Sequence, residues 1–433
     1  MGRLKNRENF MQRNELGGAA ALTVLSAEQF KTSRISIYFI LPSKRQTATA
    51  FALLPQLLER GYAGCPDMTA LSRKLAALYG ANLSVDSSTQ GGNRVIGISI
   101  SGLRDAYALH GEPLSAAYAE ILFGAAFEPY FVDGVFDPEA VAVEKEKLRE
   151  NLEGEINNKR GYCVKQARRK FFGDSPAGIE RNGYLEDIDE LTPRALTQAY
   201  AEMIATASIE VMVLGADAGR VEEMLREKLA KLQRTPTTVL PPVAMPAVPV
   251  QTYAEPVDAV QGKLCLMFTA GRVLTKQELG VMRSAAALFG SLPTSRLFRN
   301  VREKQSLCYY CASSFSYLTS AMSVDSGIEP QNGLKVQQAV LNELNAMVSG
   351  PITQQEMDET RLALLGALRA VNDSLASIEF WAFREILRGS FETPQQAEQT
   401  INETTAEQIQ QVLSLFTLSV SYLLAKGGAG VEQ

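Results

Sequence analysis

The sequence predicts an α+β protein of two duplicated domains, each a mostly antiparallel β-sheet covered by helices on one face. Three observations carry this. Short apolar or alternating runs bounded by Gly, Asn and Asp read as strands, and longer runs with apolar residues three and four apart read as helices. The order strand, helix, helix, strand, strand, helix, long helix, helix, strand occurs twice, offset by about half the chain, which is the mark of an internal duplication. Between the two occurrences lie Pro236, Pro241, Pro242, Pro246, Pro249 and Pro256, in a stretch without helical period. The expected organisation is an N-terminal domain over 1–232, a Pro-rich linker over 233–256 and a C-terminal domain over 257–433.

In the first half, residues 19–26 and 35–41 read as strands. A helix over 47–60 puts Phe51, Leu54, Leu57 and Leu58 on one face and stops at Gly61. A second, 68–79, turns Leu71, Leu75 and Leu78 inward and stops at Gly80. Residues 81–88 and 94–101 form a hairpin about the turn Thr89-Gln-Gly-Gly-Asn93. An apolar helix spans 114–127. A long charged helix spans 139–172, with Gly154 and Gly161 as candidate kinks. A helix over 192–205 with Pro193 at its first position, a strand over 208–214 and a helix over 220–231 complete the half.

In the second half, 262–269 is an apolar strand and 276–289 a helix ending at Gly290. Residues 294–304 form a short helix, and 307–315 and 321–328 are strands. Helices follow over 333–348 and 353–389, the second with Gly366 inside it. A helix over 404–415 and a strand over 418–424 close the chain.

Composition narrows the function. Of the 433 residues, 46% are hydrophobic, enough for sizeable cores. The net charge of −5 carries no long block of one sign, which argues against a nucleic-acid or anionic-membrane surface. Five cysteines, an odd and sparse set, point to reduced thiols and a cytoplasmic protein. The residues around Met1-Gly2 show no secretory h-region, and Asn6 occupies the Ser/Thr place of a myristoylation signal. No run reaches the ~20 apolar residues of a membrane span.

The chemistry concentrates in 294–311. Here Arg302 on the short helix and Tyr309 on the following strand flank a turn, so a cation and a phenol can converge on one backbone carbonyl. Arg offers a planar donor fork that stays charged. On spacing alone, a surface arginine and a core aromatic would be the plainer reading. Cys308-x-x-Cys311 has no second cysteine pair. In a regular strand its two residues face opposite sides, so a structural role is expected.

The run Ser295-Arg-Leu-Phe-Arg-Asn-Val-Arg-Glu-Lys-Gln-Ser-Leu-Cys-Tyr309, with two α+β halves, a long helix in each and a Pro-rich connection, resembles the insulinase/pitrilysin (M16) family of zinc peptidases. Pro176-x-Gly178 followed by Leu191-Thr192 is similar to the family's first half. The resemblance implies a LuxS-metallohydrolase-like clamshell. It also implies that Arg302 and Tyr309 hold the substrate backbone and polarise the scissile carbonyl.

The family carries His-x-x-Glu-His on the first helix, where two imidazoles bind zinc and the Glu activates water. The matching positions, counted back from Gly61, are Ala52, Pro55 and Gln56. The chain has one histidine, His110, and cannot supply two. Glu146, Glu150, Glu153 and Glu155 are candidates for the family's distal ligand, but the histidine pair that would complete the zinc site is missing.

The resemblance therefore implies a subunit with no metal and no cofactor of its own. It would pair as a heterodimer with a zinc-bearing insulinase-like peptidase subunit, bind an extended peptide or protein substrate by edge-strand addition, and supply Arg302 and Tyr309 in trans. Ser72-Arg-Lys-Leu75, Leu78-Tyr-Gly80 and Asn158-Lys159 with Tyr162 are similar to subunits associated with elongation factor P modification. The alternative expectation is a structural or regulatory peptide-binding protein of a protein-processing or modification pathway.

Overall fold

The protein is described by a computed structural model over residues 10–426. The reading of the first nine residues as free of a leader concerns positions outside that range.

The first-half elements are β1 (Met11–Gly17), β2 (Ala20–Leu25), β3 (Thr32–Pro42), α1 (Ala48–Glu59), α2 (Met68–Ala77), β4 (Asn82–Gln90), β5 (Asn93–Leu103) and α3 (Leu114–Phe127). A two-residue ribbon follows, β6 (Phe131–Val132) and β7 (Val135–Phe136), then α4 (Pro138–Gly154), α5 (Lys159–Phe172), α6 (Pro193–Thr206), β8 (Ser208–Leu214) and α7 (Ala218–Leu229). The sheet order is β1-β2-β8-β3-β5-β4, antiparallel except where β2 meets β8. Ile35, Ile37 and Phe39 of β3 and Ile96, Ile98 and Ile100 of β5 point one way, the period-2 face that buries against Leu54 of α1, Phe123 of α3 and Met203 of α6.

The second-half elements are β9 (Gln251–Pro256), β10 (Gly262–Thr269), α8 (Lys276–Ala286), two wide π-wound turns over 287–291 and 297–304, β11 (Cys308–Ser316) and β12 (Ala321–Ile328). Then come α9 (Gly333–Ser349), α10 (Gln354–Ala370), α11 (Leu375–Arg388), α12 (Pro394–Glu403), α13 (Ala406–Leu413) and β13 (Thr417–Ala425). The order β11-β12-β10-β13-β9 is antiparallel apart from β13 with β9. Leu264, Leu266 and Phe268 bury against Met282, Val340 and Ile409.

The α+β class and the duplicated order are as expected, with local differences that have physical causes. β1 is a polar edge strand, held through Arg13 Nε and Nη2 on Glu210 at 3.0 and 2.9 Å, so hydropathy does not announce it. The Pro-rich stretch ends sooner than expected: 251–256 form β9, with Pro256 at the end of an edge strand where no ladder donor is needed. The long helix over 139–172 is two helices. Its break at 155–157 is fixed by Asn158, whose Oδ1 accepts from Gly161 N at 3.0 Å. The helical region 353–389 breaks at 371–373, beyond Gly366, and Ser374 Oγ accepts from Ser377 N at 3.1 Å in the first turn of α11. α12 opens with a capping box of Thr393 and Gln396.

The packing is interleaved rather than sequential. Over the described residues, one compact unit comprises 10–153, 179–240 and 372–387; the other comprises 154–178, 241–371 and 388–426. Each sheet thus receives on its second face a helix encoded in the opposite half. In the first unit α11 lies on β3: Phe383 stacks on Tyr38 with ring centroids 4.1 Å apart, and Glu379 pairs with Arg34. In the second, Cys163, Ala167 and Phe171 of α5 pack on Cys265, Met267, Val420 and Tyr422. The apolar spacing of four along α5 is the stripe that makes this helix a lid for a sheet.

Candidate functional site

α1 places Ala52, Pro55 and Gln56 on one face, since i, i+3 and i+4 align on a helix. Ala52 offers only a methyl, and Pro55 is buried and has no N–H. Gln56 is exposed. With its amide turned to satisfy both contacts, its nitrogen donates to the carbonyls of Ala52 and Leu53 at 2.9 and 3.0 Å. The side chain that would stand where the family has its second imidazole is therefore spent on its own helix.

Of the distal candidates, Glu146 pairs with Arg149 at 3.6 Å and Glu155 with Lys165 at 2.5 Å. His110 is exposed in a turn of the loop before α3. Among the described residues no group of three His, Cys, Asp or Glu could hold a metal. The donor set does not fit zinc.

The second candidate lies in the π-wound turn 297–304 and the start of β11. Leu297 and Val301 are fully buried and anchor the turn. Ser306, with φ of 52°, makes the reversal into the strand in the left-handed region that an L-residue enters at a cost. The three arginines of the turn then divide. Arg296 is bidentate to Glu356 at 2.8 and 3.0 Å, and Arg299 pairs with Glu359 at 2.5 Å. Arg302 makes no ion pair among the described residues. Its Nε donates to the backbone oxygen of Tyr309 at 3.0 Å, and its guanidinium lies 4.5 Å from the Phe298 ring centroid. Both contacts fix the fork while leaving its terminal nitrogens without an acceptor among the described residues.

Tyr309 owes its position to a β-bulge. Cys308 pairs with Ile328 and Tyr310 with the adjacent Gly327, so Tyr309 is the extra residue without a partner on β12. It is 56% exposed. The bulge leaves its carbonyl outside the ladder, and Arg302 satisfies it. Gly327 helps: a Cβ there would clash with the edge of the Tyr310 ring. Arg302 and Tyr309, read from sequence as a pair, are joined through a main-chain oxygen. The bulge itself has no sequence signal beyond the neighbouring aromatics.

The bulge also changes the relation of the two cysteines. Cys308 stands opposite Ile328 and Cys311 opposite Ser326, two residues apart on β12. They share one sheet face, contrary to the alternation of a regular strand. The Cys311 thiol, the Ser326 hydroxyl and the charge of Arg302 together outweigh burial and draw the Cys308 thiol down to about 7.

Chemically, the arrangement presents cationic N–H donors and a phenol at a rigid bulge. The wide helical turn and the bulge both belong to the small set of irregularities that aim side chains at functional sites.

The chain is similar to several known proteins. Residues 190–364 match the family described as Peptidase M16 inactive domain. A Bacillus subtilis (strain 168) protein named "Probable inactive metalloprotease YmfF" is 25% identical over 417 residues, covering 96% of this chain and 97% of its own. A conserved protein from Enterococcus faecalis V583 shares the fold with a TM-score of 0.88 at 24% identity, over 98% of this chain and 100% of that one. A Pseudomonas fluorescens structure described as a peptidase M16 inactive domain superposes with a TM-score of 0.77 at 15% identity, over 98% and 100% of the two chains.

Proposed function

We propose that this chain, which is similar to inactive homologues of the M16 peptidase family, is the metal-free, substrate-holding subunit of a heteromeric peptidase. A zinc-bearing chain of the same family would be its partner. The observation that carries this reading is the contrast between two positions. The metal face of α1 offers a methyl, a proline ring and a self-bonded amide, whereas Arg302 and Tyr309 present donors to solvent from a fixed bulge.

In this reading Arg302 holds a peptide carbonyl through its terminal nitrogens, and the Tyr309 hydroxyl donates to the oxygen on which charge develops. Both act in trans to the partner's metal site. A donor of this kind is worth most where it is pre-positioned, about 2.7–4 kcal/mol of transition-state stabilisation. The Arg302 Nε bond to Tyr309 O supplies that pre-positioning.

An extended peptide would add to a sheet edge, where main-chain bonds give sequence-tolerant affinity. β4 and β11 are such edges. Among the described residues no helix is long and apolar enough to cross a membrane.

The test is peptide turnover by the assembled pair with Arg302→Ala and Tyr309→Phe. Each is expected to lower kcat/KM by about 10²–10³-fold, with a loss in kcat for Tyr309→Phe. Unchanged turnover would remove the in-trans role. A rise in KM alone would instead support a peptide-binding scaffold whose partner does all the chemistry.

A further inference from the structure

Cys308 and Cys311 flank the bulge and face the same side of the sheet. Their partners on β12 are two residues apart, so their Cα atoms are separated by roughly 6–7 Å at the ordinary strand rise. That is the upper end of the range a disulfide spans, about 4.4–6.8 Å. Cys311 is buried and Cys308 only partly so, leaving one sulfur open to a small reagent and one shielded behind it. We propose that Cys308 and Cys311 form a redox-responsive dithiol, which hydrogen peroxide closes into an intrachain disulfide.

The roles follow from the surroundings. Cys308 has the Cys311 thiol and the charge of Arg302 to stabilise a thiolate, so it is the attacking sulfur. Its thiolate displaces hydroxide from the peroxide oxygen: the O–O bond breaks, an S–O bond forms, and Cys308 becomes a sulfenic acid. The Cys311 sulfur, held well above its usual range by Cys308 and by burial, then attacks the Cys308 sulfur. The S–O bond breaks and the thiol proton leaves with the oxygen as water. Two thiols and one peroxide give one disulfide and two waters. A low-molecular-weight thiol reverses the step by exchange.

The other cysteines provide internal controls. Cys163 and Cys265 lie in the apolar layer beneath α5, and burial pushes Cys163 up to about 12 and Cys265 well above the usual thiol range. They should stay reduced at peroxide doses that close the dithiol. The bridge would span Tyr309 and hold the bulge on both sides. The inference concerns thiol chemistry of this chain alone and stands apart from the peptide-holding reading.

The experiment treats the reduced full-length chain with hydrogen peroxide and maps its peptides by mass spectrometry, with free-thiol titration. The expected result is loss of two thiols and a cross-linked peptide lighter by about 2 Da, the two hydrogens removed. Cys311→Ser should stop the reaction at a dimedone-trappable sulfenic acid on Cys308, and Cys308→Ser should keep all remaining thiols at the same dose. Retention of all five thiols, oxidation of Cys65 ahead of Cys308, or a disulfide between two chains would overturn the proposal.

Discussion

Removing Glu379 should detach α11 from the first sheet. The carboxylate is 3% exposed and pairs with Arg34, itself 20% exposed and also bonded to Ser101 Oγ at 2.9 Å. Truncating one member of a buried pair leaves the other charge desolvated, at a general cost of about 3–5 kcal/mol. Partial exposure of Arg34 puts Glu379→Ala at the lower end, about 3 kcal/mol.

The pair is imperfect, because Glu379 Oε1 has no hydrogen-bond partner among the described residues. Replacing both groups by apolar ones, Arg34→Met with Glu379→Leu, should therefore return the stability to within about 1 kcal/mol of the parent. The sole tryptophan, Trp381, lies on this same helix and reports its docking directly. Urea titration followed by Trp381 emission should show a midpoint about 1–1.5 M lower for the single substitution, taking a slope of about 2–3 kcal/mol/M. The reasoning fails if the single variant moves the midpoint by less than about 0.3 M, or if the double variant loses as much as the two singles together.

Two further outcomes follow from the second unit. Burial opposes ionisation of Glu356, yet the Arg296 hydrogen bonds and the Thr353 N–H hold its carboxyl down at about 2. A depressed carboxyl contributes stability above its unfolded value and loses it as pH falls through the folded one. Solvent screening cuts this contribution to about 1–2 kcal/mol, which should disappear between about pH 4.5 and pH 2, and the stability gap to Glu356→Gln should narrow across that window in acid titrations. Gly327→Ala should cost about 1–3 kcal/mol by pushing the Tyr310 ring off β12; an unchanged melting temperature would show that the ring has room to move.

Much of the fold was legible because its signals are local. Gly61 and Gly80 end helices, Gln90-Gly-Gly-Asn93 turns a hairpin, and Ile35, Ile37 and Phe39 alternate. What stayed hidden depends on partners distant in sequence. β1 is polar because Glu210, on β8, supplies its anchor. The destination of α5 cannot be read from its own period, although the Cys163, Ala167, Phe171 stripe shows that it buries a face.

At the candidate site, Arg302 and Tyr309 were legible as residue types at a spacing. The bond that joins them was not, because it runs through a carbonyl that only the bulge frees. The same bulge defeats the alternation argument for Cys308 and Cys311: one inserted residue shifts the strand's phase. The Thr393 and Gln396 capping box was present in the sequence and would have marked α12.

The exchanged helices carry a consequence for biosynthesis. A chain emerging from the ribosome has made the whole first sheet by residue 214, yet the helix that covers its second face ends at residue 388. Roughly 150 residues must be synthesised between the end of that unit's main segment and the completion of α11, about 8–30 s at 5–20 residues per second. During that interval Tyr38 and Arg34 face solvent without Phe383 and Glu379. α5 waits in the opposite sense, made before the sheet it will cover. The nascent first half therefore keeps that face of its sheet uncovered until α11 is made, and a truncated gene ending at the Pro-rich stretch would leave it so.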